Sequence, residues 1–369
     1  MASSVSFFQE YLASKKPEPL RKQRALDRNQ LREHQWLVDG FKRKIIEGRT
    51  SIVEDTIFLG SFLRIQGEAL RAFKLHKTLL NRSNIDRNEK LFLYQELGTD
   101  VFYLRKGDLG GAYFQQCLVW NRKHIPSLHF LARAHEFLGE YQKAVPLIKR
   151  LIRLGQKDQA RLAYVLSELA YTFMDQGDFS KARKTAEEAM SVDATCPAAT
   201  LAYADSLLLT KNYPAALETL RTFVASWPDL TFMAIKRIED VHYRQDNYEE
   251  LETTLRSCLQ KNPDNAYVMY WIGKVLRKKK RQADGLAYFK EALELRSNEV
   301  NAMRELIHYN LNADDRGIVG IAKKFFEELR SSKKMVCTGC HAKHKTMHWF
   351  CAHCGNWGVF GVRYEFSGP

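Results

Sequence analysis

The hydrophobic positions of the chain fall into short helical runs separated by polar turns. In LGSFLRIQGEALRAFKLH (59–76), RKGDLGGAYFQQ (105–116), AHEFLGEYQKAVPLI (134–148), ELAYTFMDQGDFSKARKTAEEA (168–189), YADSLLLTKNYPAALETL (203–220) and MYWIGKVLRKKKRQADGLAYFKEAL (269–293) the pattern is the same. An apolar helix leads into a short turn, commonly at glycine, and a small residue five positions later opens a second apolar helix. That residue is Ala72, Ala112, Ala144, Ala182, Ala216 and Gly285, with Leu251 in the same register, at successive spacings of 40, 32, 38, 34, 35 and 34.

A recurrence near 34 with such a turn is the tetratricopeptide signature. Two antiparallel helices approach closely only where the contact residue is small, while Gly67, Gly107, Gly139 and Gly177 suit turns that need positive φ. Pro228 and Pro263, each twelve residues after Ala216 and Leu251, stop the second helix. One helix pair cannot hide its apolar face. Six or seven pairs are therefore expected to stack over residues 51–330 as an all-α tetratricopeptide superhelix, an α-solenoid with a concave groove. Groove-facing positions are predicted one and four residues after the tight packing site of each first helix. They include Ser61 and Arg64, Arg133 and Glu136, Asp205 and Leu208, and Lys274 and Arg277, a mixed-charge lining suited to a polar or acidic peptide.

The tail changes the picture. Four of the seven cysteines lie within CTGCHAKHKTMHWFCAHC (337–354), as two Cys-x-x-Cys pairs ten residues apart. Cys337, Cys340, Cys351 and Cys354 have the spacing of a closed tetrathiolate shell, which points to structural zinc, with iron the competing ion. Residues 331–369 are expected to form a small rubredoxin-like or zinc-ribbon domain that leans on the metal for stability. His341, His344, His348 and His353 read as surface groups, and Trp349 and Trp357 as core. Cys117, Cys196 and Cys258 read as ordinary buried thiols.

The formal charge of +14 calls for a partner. Residues 1–50 hold eleven Lys and Arg against six Asp and Glu, and Arg277–Arg281 (RKKKR) is an unbroken run. Anionic lipid and nucleic acid both fit such charge. Val5, Phe8 and Leu12 share one helical face ahead of Lys15, Lys16, Arg21, Lys22 and Arg24, a pattern that suits a short amphipathic helix on anionic membrane; a disordered leader or a docking segment for the repeats is the alternative. The alternative function class is a nucleic-acid-binding zinc-ribbon protein using Lys333, Lys334, Lys343 and Lys345, but that segment lacks a clear aromatic-and-basic face. No phosphate-loop, His-Glu-x-x-His or Gly-x-Ser-x-Gly motif occurs, which argues against an enzyme. No run of eighteen apolar residues occurs either, so a cytoplasmic chain is expected.

The combination resembles the lipopolysaccharide assembly protein B family of Gram-negative bacteria. The likeness rests on Leu59-Gly60 with Arg64, on Gly67-Glu68 and His76, on Gln95-Glu96-Leu97-Gly98, and on the two knuckles with Trp349 and Trp357 beside them. It implies a non-enzymatic adaptor or scaffold that regulates lipopolysaccharide biosynthesis at the cytoplasmic face of the inner membrane, presenting the deacetylase LpxC to the membrane protease FtsH. It also implies the four cysteines as metal ligands, and it leaves oligomerisation open. Three departures stand out: the family's transmembrane anchor has no counterpart here, His341 and Ala352 replace the usual Gly and Pro of the knuckles, and the stretch from Gly98 to Gly107 is two residues longer than the family pattern.

Overall fold

The computed structural model describes residues 52–104, 107–295, 301–302, 304–306, 332–344 and 348–365; the basic segment 1–50, with its expected amphipathic helix, and Lys345 lie outside them. The chain falls into two compact units. One comprises residues 1–158 with 338–342 and 350–356, and the other residues 159–337 with 343–349 and 357–369.

Among the described residues, the first unit carries three helix pairs: α1 (Ile52–Ile65) with α2 (Ala69–Leu79), α3 (Arg87–Tyr103) with α4 (Gly107–Trp120), and α5 (Ile125–Phe137) with α6 (Tyr141–Arg153). The second carries four: α7 (Gln159–Asp175) with α8 (Phe179–Val192), α9 (Pro197–Leu209) with α10 (Tyr213–Ser226), α11 (Thr231–Arg244) with α12 (Glu249–Lys261), and α13 (Ala266–Lys278) with α14 (Gln282–Leu295). The expected all-α tetratricopeptide architecture is therefore present, pair upon pair.

Local signals set the helix ends. Asp86 caps α3 and Glu89 reaches back to the Asp86 amide, a reciprocal capping box that satisfies amides the helix cannot pair itself. Proline occupies the first turn of α5, α9 and α10, where its missing N–H costs nothing.

The turn inside six of the pairs is one motif. Gly67, Gly139, Gly177, Lys211, Asp246 and Lys280 all have positive φ, and each stands five residues before the tight contact residue of the following helix. At each turn this residue's N–H bonds the carbonyl three residues back, and the next N–H bonds the carbonyl five back, as at Gly139 to Glu136 (3.1 Å) and Glu140 to His135 (2.8 Å). That is the Schellman arrangement, which closes a helix by using its last carbonyls. Glycine takes this conformation without strain; Lys211, Asp246 and Lys280 take it because the flanking helices demand it.

The contact register corrects the sequence reading at one repeat. A Cβ on Gly110 would meet the Gly98 carbonyl oxygen at 3.2 Å, and one on Gly285 would meet that of Gly273 at 2.9 Å, each across a twelve-residue interval. Ala112 is exposed, so Gly110 is the tight residue of α4 and the first two spacings become 38 and 34. Gly107 opens α4. Elsewhere Ala72, Ala144, Ala182, Ala216 and Leu251 are fully buried as expected.

Glycines on three first helices admit a ring from the second: Gly98 faces Phe114 and Gly273 faces Phe289, both rings being fully buried. Each such phenyl contributes roughly 2–3 kcal/mol by leaving water. Gly60 faces His76 instead, and this imidazole is completely buried.

Candidate metal centre

Three short strands frame the cysteines. β1 (Ser332–Cys337) lies between β2 (Lys343–His344) and β3 (Phe360–Glu365), antiparallel to both, with Met335 opposite His344 and Cys337 opposite Phe360. Cys337 thus ends a paired strand, and the chain turns at once into the first knuckle.

The two knuckles share a backbone device. The residue after the second cysteine of each has positive φ: His341 at 59° and Gly355 at 68°. In the second knuckle the Gly355 N–H donates to the Cys351 carbonyl at 2.6 Å, and the Cys351 N–H to the Asn356 carbonyl at 2.9 Å. These bonds fold the loop so that both thiols point inward. His341 holds the same conformation without glycine's freedom, which leaves the first knuckle under strain.

All four sulfurs lie within 4.8 Å of one another. Cys340 and Cys351 are 3.7 Å apart at sulfur, far beyond a disulfide bond. A tetrahedral ion with metal–sulfur bonds near 2.3 Å places its sulfurs about 3.8 Å apart, close to the Cys340–Cys351 separation, so the donor set suits such an ion. Cys337, Cys351 and Cys354 are buried and Cys340 is half-buried. The neighbouring histidines stay outside this cluster: His341, His348 and His353 are exposed, while His344 leans its ring on Phe360 at 5.1 Å.

Helix side chains brace the loops. In the first unit the Arg133 guanidinium of α5 donates to the Cys354 carbonyl, and a Cβ on Gly355 would collide with it. Arg133 also lies over the Phe102 ring at 5.8 Å, and Phe137 meets Phe350 edge-on at 5.0 Å. In the second unit Tyr164 of α7 stacks on Trp357 at 6.0 Å and meets Trp349 at 5.9 Å, and Gly358 leaves room for its hydroxyl. Trp349 is buried and Trp357 partly so. Nothing in the local sequence of α5 or α7 marks Arg133 or Tyr164 for this contact, because their partners lie some two hundred residues away.

The eight predicted groove residues divide. Ser61, Arg64, Arg133 and Glu136 are buried instead of lining an open surface. Arg64 bonds Glu96 and Asp100, each at 2.6 Å; the Ser61 hydroxyl donates to Glu96 at 2.5 Å; His76 bonds Asp100 at 2.6 Å. Asp205 is partly buried and accepts two bonds from Arg237, at 2.7 and 2.8 Å, and one from the Tyr171 hydroxyl at 2.9 Å. Leu208 is half-buried. Lys274 rests its ammonium 3.9 Å from the Trp271 ring centre, and burial lowers its pKa. Arg277 is exposed and paired with Glu305. For Ser61 and Arg64 the enclosing groups are the Glu96 and Asp100 carboxylates of the next helix pair; for Arg133 they are the Cys354 carbonyl and the Phe102 ring.

The basic run is also spoken for. Lys278 pairs with Glu239, Lys279 with Glu249 and Glu252, and Arg281 with Asp284 and Glu252. Individually such exposed pairs add little stability, but with Arg277 they engage four of the run's five cations, Lys280 being the exception among the described residues.

Tetratricopeptide repeat family models match residues 127–162, 167–230 and 240–300. Lipopolysaccharide assembly protein B of Escherichia coli (strain K12) is 22% identical over 314 residues, covering 84% of this chain and 80% of that one. The Haemophilus influenzae protein of the same name is 23% identical over 312 residues, covering 82% and 78%. Among solved structures, a tetratricopeptide repeat protein from Parabacteroides merdae aligns with a TM-score of 0.39 and 16% identity over 69% of this chain and 97% of that one. The chain has a tetratricopeptide-repeat fold with a C-terminal four-cysteine metal-type module, and it is similar through most of its length to lipopolysaccharide assembly protein B.

Proposed function

We propose that this protein is a non-enzymatic adaptor in lipopolysaccharide assembly, which presents LpxC to FtsH at the cytoplasmic face of the inner membrane. The observation that carries this reading is the pairing, in one chain, of stacked helix pairs with four converging cysteines, in a protein similar to lipopolysaccharide assembly protein B over 84% of its length. Helix-pair arrays of this kind recognise peptides and partner proteins along extended surfaces. Asp205, Leu208, Lys274 and Arg277 are the groove candidates whose side chains are not fully enclosed.

Cys337, Cys340, Cys351 and Cys354 would hold zinc in a closed shell, and the ion would supply cross-linking rather than chemistry. No helix among the described residues is long and apolar enough to cross a membrane; in this reading the basic segment 1–50 supplies a peripheral contact with anionic lipid. The test is affinity capture with the full chain in its native host, with Cys337→Ser/Cys340→Ser as control. Co-purification of LpxC or FtsH with the intact chain and its loss in the variant support the adaptor. Recovery of ribosomes or nucleoid material instead would overturn it.

A further inference from the structure

Among the described residues, most of the charge clusters are internally neutralised. Four of the five cations in the run 277–281 are paired with carboxylates, and Arg64 and Arg237 are locked onto Glu96, Asp100 and Asp205. One cluster is not. Between α4 and the end of α6 lies an open cleft of roughly 690 Å³, lined by Gln115, Leu118, Val119, Arg122, Arg150 and Arg153. It holds three guanidinium groups and no acidic side chain.

Two of the three arginines are positioned by carbonyls without being discharged. Arg150 donates to the Arg122 carbonyl, and Arg153 Nε donates to the Lys149 carbonyl at 3.4 Å. A guanidinium has five N–H donors, so most of this donor capacity stays open to the cleft. Among the described residues no carboxylate pairs with Arg122, Arg150 or Arg153. Helix polarity accounts for the presence of Arg150 and Arg153 in the last turn of α6, where cations are favoured. It does not account for Arg122, beyond the end of α4, converging on the same space. Nor does it explain an apolar wall beside them: Val119 is 71% exposed and Leu118 half-buried.

We infer that this cleft binds a phosphate-bearing anion, with the arginines holding phosphate oxygens and Leu118 and Val119 meeting an apolar part of the ligand. Guanidinium forks match phosphate oxygens in pairs, and three of them suit a ligand with more than one negative charge. The volume lies within the range of small-molecule sites. The chemistry is shared by a free phosphate ester and by a phospholipid headgroup.

Two probes on the full chain separate those sources: inorganic pyrophosphate by titration calorimetry, and phosphatidylglycerol vesicles by co-sedimentation. Saturable binding of either is expected, weakened about tenfold or more in Arg122→Gln/Arg150→Gln/Arg153→Gln. Pyrophosphate binding assigns the free ester; binding of vesicles alone assigns the headgroup. Arg183→Gln/Lys184→Gln/Lys290→Gln removes the same charge elsewhere and should leave binding intact. Circular dichroism checks folding, and Arg153→Gln alone, which disturbs only an exposed side chain, should still weaken binding measurably. The inference is overturned if neither probe binds saturably, or if the cleft variant and the control weaken binding equally.

Discussion

A methyl group on Gly60 would sit 2.2 Å from Nε2 of His76, so α1 is open at that point to admit the imidazole of α2. Nε2 lies 2.9 Å from the Ile57 carbonyl, which can only accept, and Nδ1 lies 2.6 Å from the Asp100 carboxylate. The ring thus ties α1, α2 and α3 together beside the Arg64–Glu96 pair. Gly60→Ala should expel His76 and cost about 3 kcal/mol, as removal of one partner from a buried polar network does. Arg64→Met should cost a similar amount by stranding Glu96 and Asp100. Urea denaturation of each variant checks this; wild-type midpoints would remove the network from the stability of the first unit.

The same network has an acid limit. Burial by itself raises the Glu96 carboxyl, but Arg64, His76 and the Ser61 hydroxyl outweigh it and leave the pKa below the ordinary 4.5. A lowered carboxyl pKa gives stability that is present above the unfolded value and lost as pH falls through the folded one. Glu168 on α7 behaves oppositely, since burial pushes its carboxyl up to about 7. Its stabilising effect is full below 4.5 and disappears as pH rises through about 7. Glu168→Gln should therefore raise stability by about 2 kcal/mol at pH 8 and change little at pH 4. Unfolding curves at the two pH values decide it, and an equal effect at both would contradict the assignment.

Three repeat turns carry avoidable strain. Lys211→Gly, Asp246→Gly and Lys280→Gly should each stabilise the chain or leave it unchanged, by up to about 1 kcal/mol, because relief of the left-handed conformation is partly offset by glycine's greater freedom when unfolded. Gly139→Ala and Gly177→Ala should destabilise by about 1 kcal/mol for the same reason reversed. Thermal melts of the five variants provide the comparison. Opposite signs in the two groups are the expected result.

The knuckles offer a matched pair. Gly355→Ala adds a methyl both to a left-handed residue and to the space of the Arg133 guanidinium, so it should loosen the second knuckle and speed metal loss to a chelator. His341→Gly should slow that loss by relieving the first knuckle. Chelation of the intact chain should abolish the near-ultraviolet signal from Tyr164, Trp349 and Trp357, since metal binding and folding are one equilibrium in so small a module. An unchanged spectrum after metal removal would show that the sheet and the helix contacts hold the module unaided.

The sequence by itself determined the repeat. Turn position, helix lengths and the small residues Ala144, Ala182 and Ala216 all follow from local chemistry, which a linear pattern records directly. Four cysteines at knuckle spacing were legible for the same reason. Only the tertiary structure decided that Gly110 and not Ala112 sits at the helix crossing, because the run 110–112 is small throughout and the opposing Gly98 carbonyl chooses within it. It also decided that Ser61 and Arg64 are enclosed while Arg277 is not. Burial of a charge depends on the counter-charge supplied by another helix pair, here Glu96 and Asp100, and no local rule carries that information across more than thirty residues.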